Sequence, residues 1–254
     1  MTVTSLAPLS QRNSRQHDAA RRQPSSVKLE QARRAAGRAR RLQGDRVDGR
    51  VIEVLPALSG LLPGGGLAPG ATYAVSGSTA LAAALIAEPS TRGMWCGVVA
   101  MPGFAAEGAA GLGCDLDRLI FVPHPGREWV NIAAALVDAL AVVVVKPQGR
   151  VSDAEAARLS ARLRQREAVL IACGEWPRAD VRLSVTATVW HGLGRGHGHL
   201  TARRADVAVS ARGQRLSTAS IWLPDARGQI ALVDGMQAAH GEPLHESLLD
   251  EAVG

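Results

Sequence analysis

The chain has 254 residues, 46% of them hydrophobic, which is enough for one buried core of roughly 150–200 residues plus tails. Its apolar runs, such as residues 140–145, fall far short of the ~18–20 residues that cross a bilayer, and the N-terminus lacks the apolar stretch of a secretory signal. The formal charge is +6, yet residues 1–50 hold 12 Lys/Arg against 4 Asp/Glu, while the remainder holds 17 against 19. The positive balance therefore belongs to an N-terminal arm, and a basic arm on a near-neutral body fits nucleic acid or an acidic protein surface. Cys96, Cys114 and Cys173 are scattered without metal-ligand spacing, as reduced thiols of a cytosolic protein would be.

Residues 1–25 are rich in Ser, Gln, Arg and Pro and are predicted to be a disordered basic tail. Ser25 and Ser26 are placed to cap a helix over residues 27–42. That helix has a thin, alanine-heavy stripe (Ala32, Ala35, Ala36, Ala39), with Arg33, Arg34, Arg38, Arg40 and Arg41 over the rest. It is marginal alone and needs a partner surface. Residues 51–55 form a short apolar run, and Pro63-Gly64-Gly65-Gly66 and Pro69-Gly70 signal turns.

A strand is predicted over residues 72–75, then a helix over 79–87, a buried strand over 94–100, and a small helix over 105–111. Next come a strand over Leu119–Val122, an amphipathic helix over residues 129–140 and an all-valine strand over Val142–Val145. Ser152 with Glu155 makes a capping box for a helix over residues 153–165, and residues 168–173 form another buried strand. This alternation predicts an α/β fold with a mostly parallel sheet flanked by helices. Residues 181–190, 199–209 and 219–223 then alternate polar and apolar, which predicts antiparallel strands at the C-terminal edge of the sheet, ending with residues 229–233. Residues 234–254 read as an acidic tail or a short docking helix.

The glycine turn between the first predicted parallel strand and its helix, Ser76-Gly77-Ser78-Thr79-Ala80, stands where an α/β ATPase places its phosphate loop. Such a loop needs several backbone N–H groups, a lysine for the β/γ-phosphates and a Ser/Thr for Mg²⁺. Here there is one glycine and no nearby lysine. Gly77, Ser78 and Thr79 are therefore read as a degenerate phosphate-loop position, with Ser78 or Thr79 capping the helix. The strand Val142–Val145 runs into Lys146-Pro147, where a metal-orienting acid would stand. Residues 94–100 run into Met101-Pro102-Gly103, where an acid would polarise an attacking water. These three losses predict no catalytic residues, no cofactor and no metal. The glycine-rich segment holding His191, His197 and His199 has no further ligand at zinc spacing and reads as a solvated hairpin loop. Asp115 and Asp117 read as flanking a turn before the strand at Leu119.

Residues 54–87 resemble the opening of a RecA-like core. Gly113-Cys114-Asp115-Leu116-Asp117-Arg118-Leu119-Ile120-Phe121 is similar to the segment that RecA proteins place before their fourth core strand. The order of elements through residue 233 fits as well, so the resemblance covers residues 47–233, about three-quarters of the chain. The short degenerate loop and the Ile221-Trp222-Leu223-Pro224-Asp225 hairpin resemble the ImuA-type, SulA-like branch in its actinobacterial form. In place of RecA's long DNA-binding loop stand only residues 174–180.

The resemblance implies a RecA-like pseudo-ATPase core over residues 47–233 behind a basic helical arm at 26–46. It implies a non-catalytic accessory protein of a DNA-damage-inducible translesion complex, cytoplasmic and nucleoid-associated. Its implied partners are an inactive Y-family polymerase homologue (ImuB-type) and, indirectly, a damage-inducible C-family polymerase; homo-oligomers are open. By analogy with RecA subunit docking, the strand Leu119–Val122 and the helix at 129–140 form a partner groove with Phe121, Trp129, Ile132 and Leu136 as contacts. Three other readings stand beside it. One is DNA binding through Arg33, Arg34, Arg38, Arg40 and Arg41 of the basic helix. The others are a cryptic nucleotide-binding regulator and a SulA-like inhibitor of cell division.

Overall fold

The computed structural model describes residues 25–42, 51–104, 106–192, 199–211, 214–233 and 239–240. Residues 1–24 of the expected tail and most of the acidic segment at 234–254 lie outside the described residues, as does the loop at 193–198. Helix α1 is Ser25–Leu42. Ser25 and Ser26 thus lie in its first turn instead of capping it. Strand β1 (Ile52–Glu53) pairs with β2 (Gly66–Leu67) around the short helix α2 (Pro56–Ser59). The core then runs β3 (Thr72–Ser76), α3 (Thr79–Thr91), β4 (Cys96–Val99), α4 (Ala106–Gly111), β5 (Leu119–Val122), α5 (Trp129–Val137), β6 (Val142–Val145), α6 (Asp153–Arg166) and β7 (Val169–Cys173). Strands β8 (Val181–His191), β9 (Ala202–Ala211), β10 (Gln214–Trp222), β11 (Ala231–Leu232) and β12 (Ala239–His240) complete it.

The large sheet has the order β11-β10-β9-β8-β3-β7-β6-β4-β5, with β12 also on β10. Its pairs from β8 to β5 are all parallel. One expectation is corrected here. Strand β8 is not simply an antiparallel addition: it lies parallel to β3 and antiparallel to β9, so it is where the sheet changes sense. Its burial alternates only over Val181–Leu183 and gives way to exposure from Thr186 onward, past the end of β3.

Successive residues of a strand face opposite sides of a sheet. Val142 and Val144 enter the core with α3, while Val143 and Val145 enter the core with α1, α5 and α6. Both faces being covered, the strand can be pure valine. Helix α3 is apolar on all sides because it is enclosed; Leu81, Leu85 and Ile86 have no exposed surface. Burying each such side chain stabilises the fold by about 1.5–3 kcal/mol relative to leaving it in water.

Two helix ends differ from expectation. Helix α3 runs past residue 87 to Thr91 with Pro89 inside it. Proline's fixed φ suits a helix and costs one backbone bond. Burial of Pro89 and Ser90, and the bonds Ser90 Oγ–Ala87 O (2.7 Å) and Thr91 Oγ1–Glu88 O (2.9 Å), hold the last turn. Helix α5 stops at Val137, because the chain must reverse into β6. Leu140 remains buried beyond the helix end. The capping box of α6 forms as expected, with Ser152 Oγ accepting from Glu155 N (3.2 Å) and the Glu155 carboxylate accepting from Ser152 N (2.9 Å). No described helix is long and apolar enough to cross a membrane.

Candidate functional site

The carboxyl end of β3 carries the glycine turn at residues 77–79. Gly77 has φ +81°, and a Cβ there would stand 2.9 Å from the carbonyl oxygen of Val185, so β8 closes directly against the turn. Ser76 Oγ donates to Ser184 Oγ at 3.0 Å, stitching the loop to the same strand. Ser78 is the helix cap: its Oγ accepts from Leu81 N at 3.3 Å. It also accepts from Arg203 Nη1 at 3.2 Å. Thr79 is the exposed first residue of α3.

Sequence reasoning found no cation near this turn. The fold supplies one from β9, 125 residues along the chain. Nothing local in the sequence marks Arg203; only the strand pairing brings it here. The guanidinium lies 5.4 Å from the ring centroid of Trp190 and reaches Thr188 Oγ1 at 3.5 Å. Partial burial shifts its pKa below the usual arginine value, and its buried Nε has no partner.

At the end of β6, Lys146 is exposed. At the end of β4, Ala100 turns with φ 60°, and Gln148 Nε2 donates to the carbonyls of Ala100 (3.4 Å) and Lys146 (3.1 Å). The carboxyl ends of β4 and β6 are thus joined through neutral backbone and one amide. Among the described residues no group of three His, Cys, Asp or Glu could hold a metal. The thiols of Cys96, Cys114 and Cys173 are buried, and burial raises all three pKa values, Cys114 and Cys173 to about 12. Such thiols are inert as nucleophiles at neutral pH. Asp115 caps the turn before β5 through Asp117 N (3.0 Å), as expected.

The expected partner groove is occupied by this chain's own arm. Helix α1 packs on α5 and β5 through Ala32, Ala36 and Ala39, each 3% exposed or less. Alanine side chains let the two helices approach closely. Trp129, Ile132 and Leu136 sit in the core beneath, at 7%, 0% and 0% exposure. Trp129 meets Trp176 edge to face at 6.5 Å. Phe121 is the one of the four that stays open, at 37% exposure. It borders a cleft of about 220 Å³ between α1 and β5, lined also by Lys28, Gln31, Ala35 and His124. The arginines at 33, 34, 38, 40 and 41 are all exposed, and Arg34 pairs with Glu30 at 3.1 Å.

Residues 60–178 match a family model described as the MT3502 N-terminal domain. Over 134 residues the chain is 34% identical to the uncharacterized protein Rv3395c of Mycobacterium tuberculosis (strain ATCC 25618 / H37Rv). That similarity covers 51% of this chain and 66% of the relative, just under two thirds of its length. The family-model match takes in β2 to β7 and leaves out α1 and the strands from β8 onward.

Proposed function

We propose that this protein is a non-catalytic accessory protein with a RecA-like core, acting as a scaffold in a DNA-damage-inducible translesion complex. The observation that carries the non-catalytic part is the filled loop. Val185 backbone closes on Gly77, where an added Cβ would stand 2.9 Å from its carbonyl oxygen, and the turn has one glycine and no lysine to wrap a triphosphate. Lys146 and the Ala100–Gln148 contact stand where the metal and water acids would be. The crossed parallel sheet with its antiparallel edge supports the RecA-like reading.

The partner, an inactive Y-family polymerase homologue, follows from the ImuA-type resemblance, with the C-family polymerase joined through it. Surface on α1 and the β5 edge, including Phe121, supports a protein contact there. Calorimetric titration of the full chain tests both halves. Saturable binding of the purified polymerase homologue is expected, with no binding heat from millimolar ATP and Mg²⁺. Saturable ATP binding, or no complex with the homologue, overturns the reading.

The five exposed arginines of α1 favour a second role, in which the arm adds sequence-independent phosphate contacts. Replacing all five with glutamine is expected to flatten the salt dependence of duplex binding. An unchanged slope rules this role out.

A further inference from the structure

Strand β8 outruns its parallel neighbour. Its last partner on β3 is Ser184, opposite Ser76. Beyond that it continues to His191 paired with β9, so a ribbon projects about 20 Å past the carboxyl ends of the parallel strands. On this ribbon Val189 and Trp190 are 52% and 54% exposed. Val189 and Trp190 face opposite sides of the ribbon, so what stands out is the tryptophan ring with a guanidinium 5.4 Å from its centroid.

A β-bulge decides where that tryptophan points. Val181, Leu183 and Val185 face the core that contains α3. The register shifts between Val185 and Ala187, so Thr188 and Trp190 come to the same side as Ala205, with Trp190 directly opposite Arg203. Without the extra residue Trp190 would face the other side. The bulge therefore stacks three groups on one face: Trp190, Arg203 on its ring, and Thr188.

The arrangement is held from behind. Arg203 N donates to Pro224 O at 2.8 Å, and Leu223 N donates to Arg203 O at 2.7 Å. His191 meets the Trp222 ring at 5.0 Å. Among the described residues Arg203 has no carboxylate partner, and its guanidinium is held by Ser78 and Thr188 hydroxyls. Between Asp180 and Asp206 the chain has no Asp or Glu and four arginines. Asp206 is engaged by Arg204 at 3.6 Å and by Ser220.

We propose that the β8–β9 ribbon is a single-stranded nucleic-acid site, with Trp190 stacking on a base and Arg203 contacting the adjacent phosphate. An aromatic platform with a cation beside it is what sequence-tolerant binding of single strands requires, because every base has a π-face and every nucleotide a phosphate. A protein partner for the exposed apolar groups would not call for a guanidinium that has no carboxylate partner among the described residues. The site lies five strand steps from β5, about 24 Å, and is separate from the arginines of α1. It stands whether or not the polymerase homologue is the scaffold's partner.

The test is fluorescence anisotropy of the full chain with a labelled 20-nucleotide thymidine strand at 50 and 200 mM salt. Trp190→Ala is expected to weaken binding about tenfold or more, with Trp190→Phe near wild type. Arg203→Gln is expected to lower the log–log salt slope by about 0.7. Photo-crosslinking with a 5-bromouracil strand, mapped by mass spectrometry, covers the case in which a variant misfolds; adducts are expected at Trp190 and its neighbours on β8 and β9, within residues 186–191 and 202–204. No binding by the wild type, equal binding by Trp190→Ala, or adducts confined to α1 overturns the proposal. So does a Trp190→Ala variant that loses the polymerase homologue while binding the strand normally, which would make the ribbon a protein-docking surface.

Discussion

Lys28 Nζ donates to the main-chain oxygen of His124 at 2.6 Å, tying α1 to the turn between β5 and α5 across 96 residues of sequence. With the alanine stripe, this bond turns a weakly amphipathic helix into part of the core. A helix of this composition is marginal in water, and its ordering comes from the surface it covers. It also changes what a partner meets at this edge of the sheet: the arm and Phe121 together, not a bare groove.

Ala36→Glu is expected to lift α1 off α5. Ala36 is 2% exposed, and a carboxylate there has neither space nor a partner. Limited trypsin digestion reads the outcome, with cleavage at the α1 arginines accelerated several-fold while the sheet stays resistant. Unchanged cleavage rates would show that the helix is held by something other than this stripe.

Gly77→Ala is expected to cost more than Gly93→Ala. Both residues have positive φ, +81° and +82°, so both substitutions carry the left-handed penalty, about 1 kcal/mol. Only at Gly77 does the added methyl meet a carbonyl, Val185 O at 2.9 Å, whereas nothing lies within 4 Å of it at Gly93. Urea unfolding of the two variants should separate them by a further ~1–2 kcal/mol if β8 is pressed against the loop. Equal midpoints would mean that β8 gives way freely.

Ser152→Ala should destabilise the protein by about 1 kcal/mol through loss of the α6 cap. The Ser152 hydroxyl and backbone N–H hold the Glu155 carboxyl below its ordinary pKa. A depressed folded-state value means that this stabilisation is present above the unfolded value, about 4.3, and is lost as pH falls through the folded one. Glu155→Gln is therefore expected to flatten part of the acid limb of the stability profile. Identical acid limbs in thermal melts between pH 3 and 6 would remove the capping box from the account.

Tyr73, the single tyrosine, should titrate above its usual value in the native protein. Burial is the main cause, partly offset by the Ala68 N–H that donates to its oxygen at 2.7 Å, with Asp180 adding a smaller upward push. The folded pKa is raised, so the stabilisation is complete below the unfolded value near 10 and fades as pH climbs through the folded one. Absorbance at 295 nm should show less than half conversion to tyrosinate at pH 10 while the protein is folded. Half-conversion at pH 10 in folded protein would contradict the buried setting.

Much of the parallel core was legible because its signals are local. Four consecutive valines, bounded by Ala141 and Lys146, allow little but a strand covered on both faces, and β6 spans those four residues. Ser152 and Glu155 announce the start of α6 within one turn of chain. The end of α3 was not legible, because Pro89 looks like a stop and only burial of that turn overrides it. Residues 52–53 and 66–67 pair in strands of two residues each, too short for any periodicity to register. Of the four proposed groove contacts, periodicity placed Trp129, Ile132 and Leu136 correctly on one face of α5. Amphipathicity alone does not distinguish a face buried in the chain's own core from one left for a partner.

The amino-acid order by itself determined the layered α/β class, the polar character of the loop at Ser76–Ala80 and the basic character of the arm. Those depend on neighbours one helical turn away or less. Tertiary structure alone decided that α1 lies across α5, that β8 is the strand where the sheet changes sense, and that Arg203 stands on Ser78 beside Trp190. Each of these joins residues about a hundred positions apart. Strand register and helix docking set such contacts, through the summed burial of the whole core and not through any residue's own preference.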